Sequence, residues 1–310
     1  MILCLTPNPA IDRTMFLNSF QIGEVQRAEK VFTAAGGKGL NVARAIRTLG
    51  GKPFCMGLIG GHTGKLLQGL ARHEGLAAKW TWTKNETRTC VILVRPNQDA
   101  TVINDPGMEI DLHECKTFLT DAWEQSSNIN LACVSGSLPP GFPLDQFEAL
   151  LSGFVRRGIP VWVDTSGPAL KTALGVRGVN IKINAAELES ALDMEISDVI
   201  TGVKAARRLD KLGVQQTVIT FGKRGAILSS AKGIWSAKPP KVAIVSSVGS
   251  GDAFLGGLAV AQEAGTAPDI SLRKAVAAGT ANTLQFSGGM FSQKEFEKIY
   301  KNTDITVLNS

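Results

Sequence analysis

Two glycine-rich segments hold the residues best suited to chemistry. The first is Ser246-Ser247-Val248-Gly249-Ser250-Gly251-Asp252-Ala253-Phe254. An apolar run at 242–245 reads as a strand leading into it, and a helix is expected over 251–263. Glycines let backbone N–H groups converge on one point, and a helix N-terminus adds partial positive charge. That combination suits the negative charge that develops on a phosphoryl group in transfer. Asp252 falls in the first helical turn, where it can take a proton from an attacking hydroxyl. The same position also suits an aspartate that only caps the helix, and both roles stand open. The second segment is Ala35-Gly36-Gly37-Lys38-Gly39-Leu40-Asn41-Val42-Ala43. Its glycines allow close backbone approach to a hydroxyl-rich or phosphorylated ligand, and Lys38 and Asn41 can donate hydrogen bonds.

Other ways of handling phosphate or of activating a nucleophile find no support. Gly64-Lys65 and Gly37-Lys38 both lack the spacing and the following Ser or Thr of a P-loop, and no dinucleotide-binding glycine fingerprint follows the first strand. A dehydrogenase is therefore disfavoured. The three histidines are scattered, which disfavours a histidine metal site or a Ser-His-Asp triad. The five cysteines form no C-x-x-C pair, and the expectation is buried reduced thiols in a cytoplasmic protein.

These segments need a scaffold. Strands are expected at 2–6, 53–59, 130–135, 160–164, 179–183, 217–221 and 226–229, several of them apolar on both faces. Helices are expected at 40–49, 64–74, 111–124, 144–157, 185–192, 199–212, 251–263 and 272–286. The alternation argues for an α/β layer structure with a covered parallel sheet, in which ligands bind beyond the carboxyl ends of the strands. Two stretches break the rhythm. Residues 11–33 and 87–104 read as strands without helices between them, with a hairpin of 92–94 and 101–103 around the turn Pro96-Asn97-Gln98-Asp99. They are expected to form a small extra sheet able to serve as a lid, or else a plain edge extension. The 310 residues carry 33 Lys+Arg against 27 Asp+Glu and are 44% hydrophobic, which excludes intrinsic disorder. No apolar run reaches the roughly 18 residues of a membrane span. The first residues are apolar but short and are broken by Pro7 and Pro9, so a signal peptide is not expected. The net charge of +6 has no long basic run, so it suits a small anionic ligand rather than nucleic acid.

The motifs also follow one another in a specific order. Thr6-Pro7-Asn8-Pro9-Ala10-Ile11-Asp12 closes the first strand, and Gly36-Gly37-Lys38-Gly39-x-Asn41 follows. Thr87-Arg88, Gly136-Ser137-Leu138-Pro139-Pro140-Gly141, Asn184-x-x-Glu187, Gly222-x-x-Gly225-Ala226 and Gly249-Ser250-Gly251-Asp252 complete the series. This series resembles the ribokinase-like carbohydrate kinases of the phosphofructokinase B type, over about residues 2 to 300. The opening Asn-Pro-Ala-x-Asp is similar to the branch that acts on phosphorylated hexoses.

The resemblance implies a ribokinase-like three-layer α/β/α sandwich with a mostly parallel central sheet and a small β-sheet lid, one domain covering 1–310. It implies ATP-dependent phosphorylation of a ketohexose phosphate, fructose 1-phosphate first, with tagatose 6-phosphate and fructose 6-phosphate as alternatives. Asp252 takes the place of the catalytic base, and Gly249, Ser250 and Gly251 that of the anion hole. Asp12, Gly37, Lys38 and Asn41 match sugar-binding positions. Arg88 and Ser137 match positions near the substrate's existing phosphate, which Arg27 is expected to reach from a neighbouring subunit. Lys182, Asn184 and Glu187 match a segment near the ATP phosphates and hydrated Mg²⁺. Thr220, Gly222 and Gly225 match the nucleotide loop. Gln285 and Ser287 fall in the segment that closes the adenine pocket and, in some members, a monovalent-cation site, so K⁺ joins ATP and Mg²⁺ among the expected ligands. Ile183 replaces the family's usual proline and Ser250 its commoner alanine. Asn184 and Glu187 could equally serve only as a helix cap and first-turn pair. A binding regulator without catalysis is the competing class, and the presence of Asp252 and the glycines argues against it. The small sheet would expose apolar edges, so a homodimer clasped through it is expected.

Overall fold

Every residue of the first strand, Ile2–Thr6 (β1), is buried. The computed structural model of the protein describes residues 1–95 and 100–308. Twelve strands follow β1 up to residue 238: Ala10–Phe16 (β2), Lys30–Gly36 (β3), Pro53–Gly60 (β4), Ala78–Thr83 (β5), Arg88–Val94 (β6), Thr101–Ile103 (β7), Leu131–Ser135 (β8), Val161–Asp164 (β9), Asn180–Asn184 (β10), Gln216–Thr220 (β11), Ala226–Ser230 (β12) and Gly233–Lys238 (β13). Asp304–Leu308 (β14) ends the described chain. The helices are Lys38–Thr48 (α1), Gly61–His73 (α2), Leu112–Glu124 (α3), Leu144–Arg156 (α4), Gly167–Gly175 (α5), Ala185–Leu192 (α6), Val199–Leu212 (α7), Ser250–Glu263 (α8), Pro268–Asn282 (α9) and Gln293–Lys301 (α10).

The main sheet has ten strands in the order β14-β13-β12-β11-β10-β9-β8-β1-β4-β5. The run from β11 to β5 is parallel, and β12, β13 and β14 add antiparallel pairs at one edge. Side chains alternate across this sheet with the period of two that strand geometry imposes. Leu3, Leu5, Ala132 and Val134 pack with Phe118, Phe147, Leu170 and Ala205 of α3, α4, α5 and α7. Ile2, Cys4, Leu131 and Cys133 pack on the opposite side with Leu40, Leu67, Leu255 and Leu272 of α1, α2, α8 and α9. Two helical layers therefore cover one sheet. All five cysteines are buried and unpaired, as expected. Among the described residues no helix is long and apolar enough to cross a membrane.

The two stretches that interrupted the alternation form a separate four-stranded sheet, β3-β2-β6-β7. The expected hairpin is the antiparallel β6–β7 pair, with Ile92 opposite Val102. Its turn at 96–99 lies outside the described residues.

Residues 242–245 are not a strand. Pro239 and Pro240 lack ladder N–H groups, and the amides of Val245 and Ser246 donate instead to the Thr283 carbonyl at 2.8 and 3.1 Å. The last expected helix begins earlier than 272, with Pro268 at its first turn, and stops at Asn282. Strands β5, β13 and β14 and helices α5 and α10 were not expected. The three strands are largely half-exposed, so continuous apolar runs do not mark them, and α10 is mostly charged.

Candidate active site

Asp252 lies at the third residue of α8, and Gly249, with φ 74°, is the N-cap. A positive φ costs glycine little, and it turns the chain so that the first amides of α8 are left without side-chain caps. Asp252 does not cap its own helix. Its Oδ2 accepts from Asn41 Nδ2 at 2.8 Å, and Oδ1 has no protein partner among the described residues. The capping alternative is thereby replaced by a contact between the two glycine-rich segments. Helix α8 is seated deeply because Gly256 faces Ala45 of α1 and Gly257 faces Ala278 of α9, where a β-carbon would clash.

Asp164 ends β9 fully buried and binds two ammonium groups. Lys38 Nζ donates to its Oδ1 at 3.0 Å and Lys182 Nζ to its Oδ2 at 2.8 Å. The Lys182 ammonium lies so close to Gly251 that a β-carbon there would stand 2.6 Å from Nζ. One cluster thus joins the first residue of α1, the carboxyl ends of β9 and β10, and the mouth of α8.

Burial sets the electrostatics here. It pushes the Asp252 carboxyl above the usual carboxylate range, while Lys38 pulls it back down. Burial acts upward on Asp164 as well, but Lys182 and Lys38 outweigh it and hold that carboxyl below its ordinary value. Asp164, aided by Asp252 and Glu187, holds Lys38 above the ordinary lysine value against burial. Asp12, on β2, is raised by burial to about 6 despite the pull of Arg44 and Arg88. It packs against Gly36, where any β-carbon would collide with its carboxyl, and the Gly37 amide helps to hold it.

The expected phosphate end is assembled around Asn8. Arg88 donates through one terminal nitrogen to the Asp105 carbonyl and through the other to the Asn8 carbonyl, both at 2.8 Å. Asn8 Nδ2 donates to Ser137 Oγ at 3.2 Å and to the Pro106 carbonyl at 2.9 Å. Each terminal nitrogen keeps a second N–H, so a preset guanidinium retains donors for an anion, while Arg88 Nε is buried without a protein partner among the described residues. Arg27 is exposed in the irregular segment between β2 and β3, away from these contacts.

Of the residues expected at the nucleotide, Asn184 and Glu187 make a reciprocal capping box at α6. Asn184 Oδ1 accepts from the Glu187 amide at 2.9 Å, and Glu187 Oε2 accepts from the Asn184 amide at 3.4 Å. The capping role is real, and it leaves Glu187 Oε1 without a protein partner among the described residues. Thr220 pairs in register with Asn184 on the neighbouring strand. Gly222 and Gly225 bracket the single turn that follows. Gln285 Nε2 reaches Glu295 Oε2 of α10 at 3.3 Å, and Ser287 is half-buried beyond it. No group of three or more acidic, histidine or cysteine side chains among the described residues could hold a metal. Mg²⁺ commonly uses one or two carboxylates together with phosphates and water, and Glu187 fits that donor set. A separate cleft of about 420 Å³, lined by Asn130, Leu131, Pro160, Gln216 and Gln262, opens at the opposite end of the sheet.

Asp164, Arg44 and Asn8 are the residues that sequence reasoning left without a role. Asp164 and Arg44 carried a signal: each is a charge set among apolar neighbours, in Val161-Trp162-Val163-Asp164 and in Val42-Ala43-Arg44-Ala45-Ile46.

Known proteins resemble this arrangement over the whole chain. The tetrameric inhibited form of phosphofructokinase-2 from Escherichia coli superposes with a TM-score of 0.91 at 29% identity, covering 97% of this chain and 98% of that one. A protein from Thermotoga maritima described as a possible 1-phosphofructokinase superposes with a TM-score of 0.87 at 25% identity, with both chains fully covered. A candidate ribokinase from Agrobacterium tumefaciens, 16% identical, has a TM-score of 0.80 over 97% of each chain and shows the ribokinase-like fold alone. The profile of the pfkB family carbohydrate kinases matches residues 5–294. The chain is thus a phosphotransferase with an alcohol acceptor, and it belongs to the pfkB family of carbohydrate kinases.

Proposed function

We propose that this kinase transfers the terminal phosphoryl group of Mg·ATP to a primary hydroxyl of a ketohexose phosphate, with fructose 1-phosphate as the leading acceptor. The observation that carries this reading is Asp252, held by Asn41 at the mouth of α8 beside Gly249, Ser250 and Gly251, with Oδ1 unengaged. Asp252 Oδ1 accepts the acceptor's hydroxyl proton. The Gly249 and Gly251 amides, which make no hydrogen bond among the described residues, face the transferring group and offset the charge it develops. Lys182 lies beside Gly251 to meet phosphate oxygens, and Lys38, Asn41 and Asp12 hold the sugar. Arg88 and Ser137 bind the phosphate already present. Asn184, Thr220, Gly222, Gly225 and Gln285 line the nucleotide side, and Glu187, whose Oε1 has no protein partner among the described residues, would hold Mg²⁺ through water. When bound, Mg²⁺ neutralises charge on the ATP phosphates. The small sheet excludes water that would otherwise hydrolyse ATP.

The finer assignments follow from the same reading. One catalytic domain spans 1–310, and the buried unpaired cysteines suit a cytoplasmic protein. Exposed apolar side chains gather on the small sheet and the segment before β3: Ile22, Val25, Val31, Phe32, Val102 and Ile103. They support a homodimer formed through that sheet, with Arg27 reaching the partner's acceptor phosphate. K⁺ is an expected activator, and the E. coli relative has been crystallised with potassium.

Replacing Asp252 with Asn should lower kcat by about 10²–10⁴-fold and leave ATP and sugar-phosphate binding nearly intact. A near-normal kcat in that variant would overturn the reading. Coupled ADP release against fructose 1-phosphate, tagatose 6-phosphate and fructose 6-phosphate tests the acceptor. The highest kcat/KM is expected for fructose 1-phosphate. Preference for fructose 6-phosphate, with which the E. coli relative has been crystallised, would move the assignment to that sugar.

A further inference from the structure

We infer that Arg44, clamped by Glu74, is a positioning residue that fixes which way the Asn41 amide faces and so holds Asp252 ready to take a proton. The inference rests on the reading of Asp252 as the base. Arg44 follows Asn41 by three residues on α1, on the same helical face, and is 3% exposed. Its terminal nitrogen donates to Asn41 Oδ1 at 2.7 Å. The rest of the guanidinium is spoken for. Nε donates to Glu74 Oε2 at 2.5 Å, the second terminal nitrogen to Glu74 Oε1 at 2.8 Å, and that same nitrogen to the Ala35 carbonyl. Glu74 is the C-cap residue of α2, so the clamp joins two helices and the end of β3.

An amide has one face that accepts and one that donates. With a guanidinium on one side and a carboxylate on the other, only one orientation of Asn41 avoids two repulsive contacts. Oδ1 must face Arg44, and Nδ2 must face Asp252, as observed. Gly288 leaves no room for rearrangement, since a β-carbon there would stand 2.7 Å from Asn41 Nδ2. The amide therefore occupies Asp252 Oδ2 and leaves Oδ1 as the basic oxygen. The other charges facing Asp252 are Lys38 from α1, Asp164 from β9 and Lys182 from β10, together with Asp12 from β2. None of these four touches Arg44 through a hydrogen bond. Loss of the Asn41 donor removes one influence that holds Asp252 ionised, so the acid limb of kcat should move to higher pH.

The test compares Arg44→Met/Glu74→Met, Asn41→Ala, Asp252→Asn, and the triple variant carrying Arg44→Met/Glu74→Met/Asn41→Ala. Removing both members of the ion pair avoids stranding a buried charge. The double variant should lose about 10- to 100-fold in kcat, the worth of one charge-assisted hydrogen bond, with KM for ATP within about twofold of the parent. Its acid limb should rise. In the Asn41→Ala background the same double change should cost nothing further in kcat, because that effect passes through Asn41, while KM for the sugar phosphate reports the separate pull of Arg44 on Asp12. A folded double variant with parental kcat and acid limb overturns the inference, and so does a full additional loss in the Asn41→Ala background. Should the double variant not fold, Glu74→Gln loosens the clamp at near-constant volume and should lower kcat by about 3- to 10-fold; unchanged turnover there overturns the inference as well. Normal turnover in Asp252→Asn would instead defeat the underlying assignment of the base.

Discussion

At the scale of single residues, direct ionic contact rather than residue type decides protonation. Asp12 and Asp164 are both aspartates near cations, yet Asp12 is raised to about 6 while Asp164 is held low. The difference is contact: two ammonium groups touch Asp164, whereas neither Arg44 nor Arg88 hydrogen-bonds the Asp12 carboxylate. An acid raised on folding gives stability that is complete below its unfolded value and is lost as pH rises through the folded one. Asp12→Asn should therefore raise Tm at about pH 8 and change it little at about pH 4. The ceiling on that gain is about 3 kcal/mol. Thermal unfolding across pH measures it, and an equal gain at both pH values would show that ionised Asp12 is not penalised. The same variant should bind the sugar phosphate more weakly if Asp12 holds the sugar as proposed, and unchanged KM would remove Asp12 from the proposed site.

Among the elements, α8 carries the most consequence. Its first turn must bring Asp252, the unengaged Gly251 amide and the Lys182 contact together, and Gly251 makes the last of these possible. Gly251→Ala adds a β-carbon where Lys182 Nζ now sits, and a flexible side chain yields before the backbone does. Alanine is also the better helix former by about 0.5–1 kcal/mol. The expected outcome is an unchanged or higher Tm, a kcat lower by about tenfold and a higher KM for ATP, as for loss of one charged contact. Thermal unfolding and steady-state kinetics on one preparation separate these effects, and parental kinetics would remove Lys182 from the proposed phosphate site. The small sheet also touches the segment proposed to close over the nucleotide, where Phe16 of β2 meets Phe286 edge to face at 5.2 Å between ring centres.

For the whole molecule, the edges of the small sheet matter most. Val31 on β3 and Ile103 on β7 are exposed edge-strand residues, and such edges are normally covered or charged. The parent should scatter light as twice the 32.9 kDa of one chain. Val31→Lys with Ile103→Lys should scatter as one. In the dimer, Arg27→Ala should raise KM for the sugar phosphate by about tenfold, as for one charge-assisted contact. In the monomeric variant it should change nothing. A monomeric parent, or an Arg27 effect that persists in the monomer, would remove the shared-site proposal.

The local pattern along the chain was enough to mark most parallel strands, the helices between them, the second sheet and both glycine-rich segments. Helices 185–192 and 199–212 fall where expected, because their apolar spacing and end signals are properties of neighbouring residues. The family series of motifs was legible for the same reason. The polar edge strands, charged α10 and irregular 242–245 were not, since pairing across the sheet and a carbonyl of Thr283 decide them. Only folding shows that Asp252 binds Asn41 instead of capping its helix, and that Asp164 gathers Lys38 and Lys182. Those partners stand 211, 126 and 18 residues apart. Charge and burial act through space, so a residue's chemistry depends on what the tertiary fold places within a few ångströms of it.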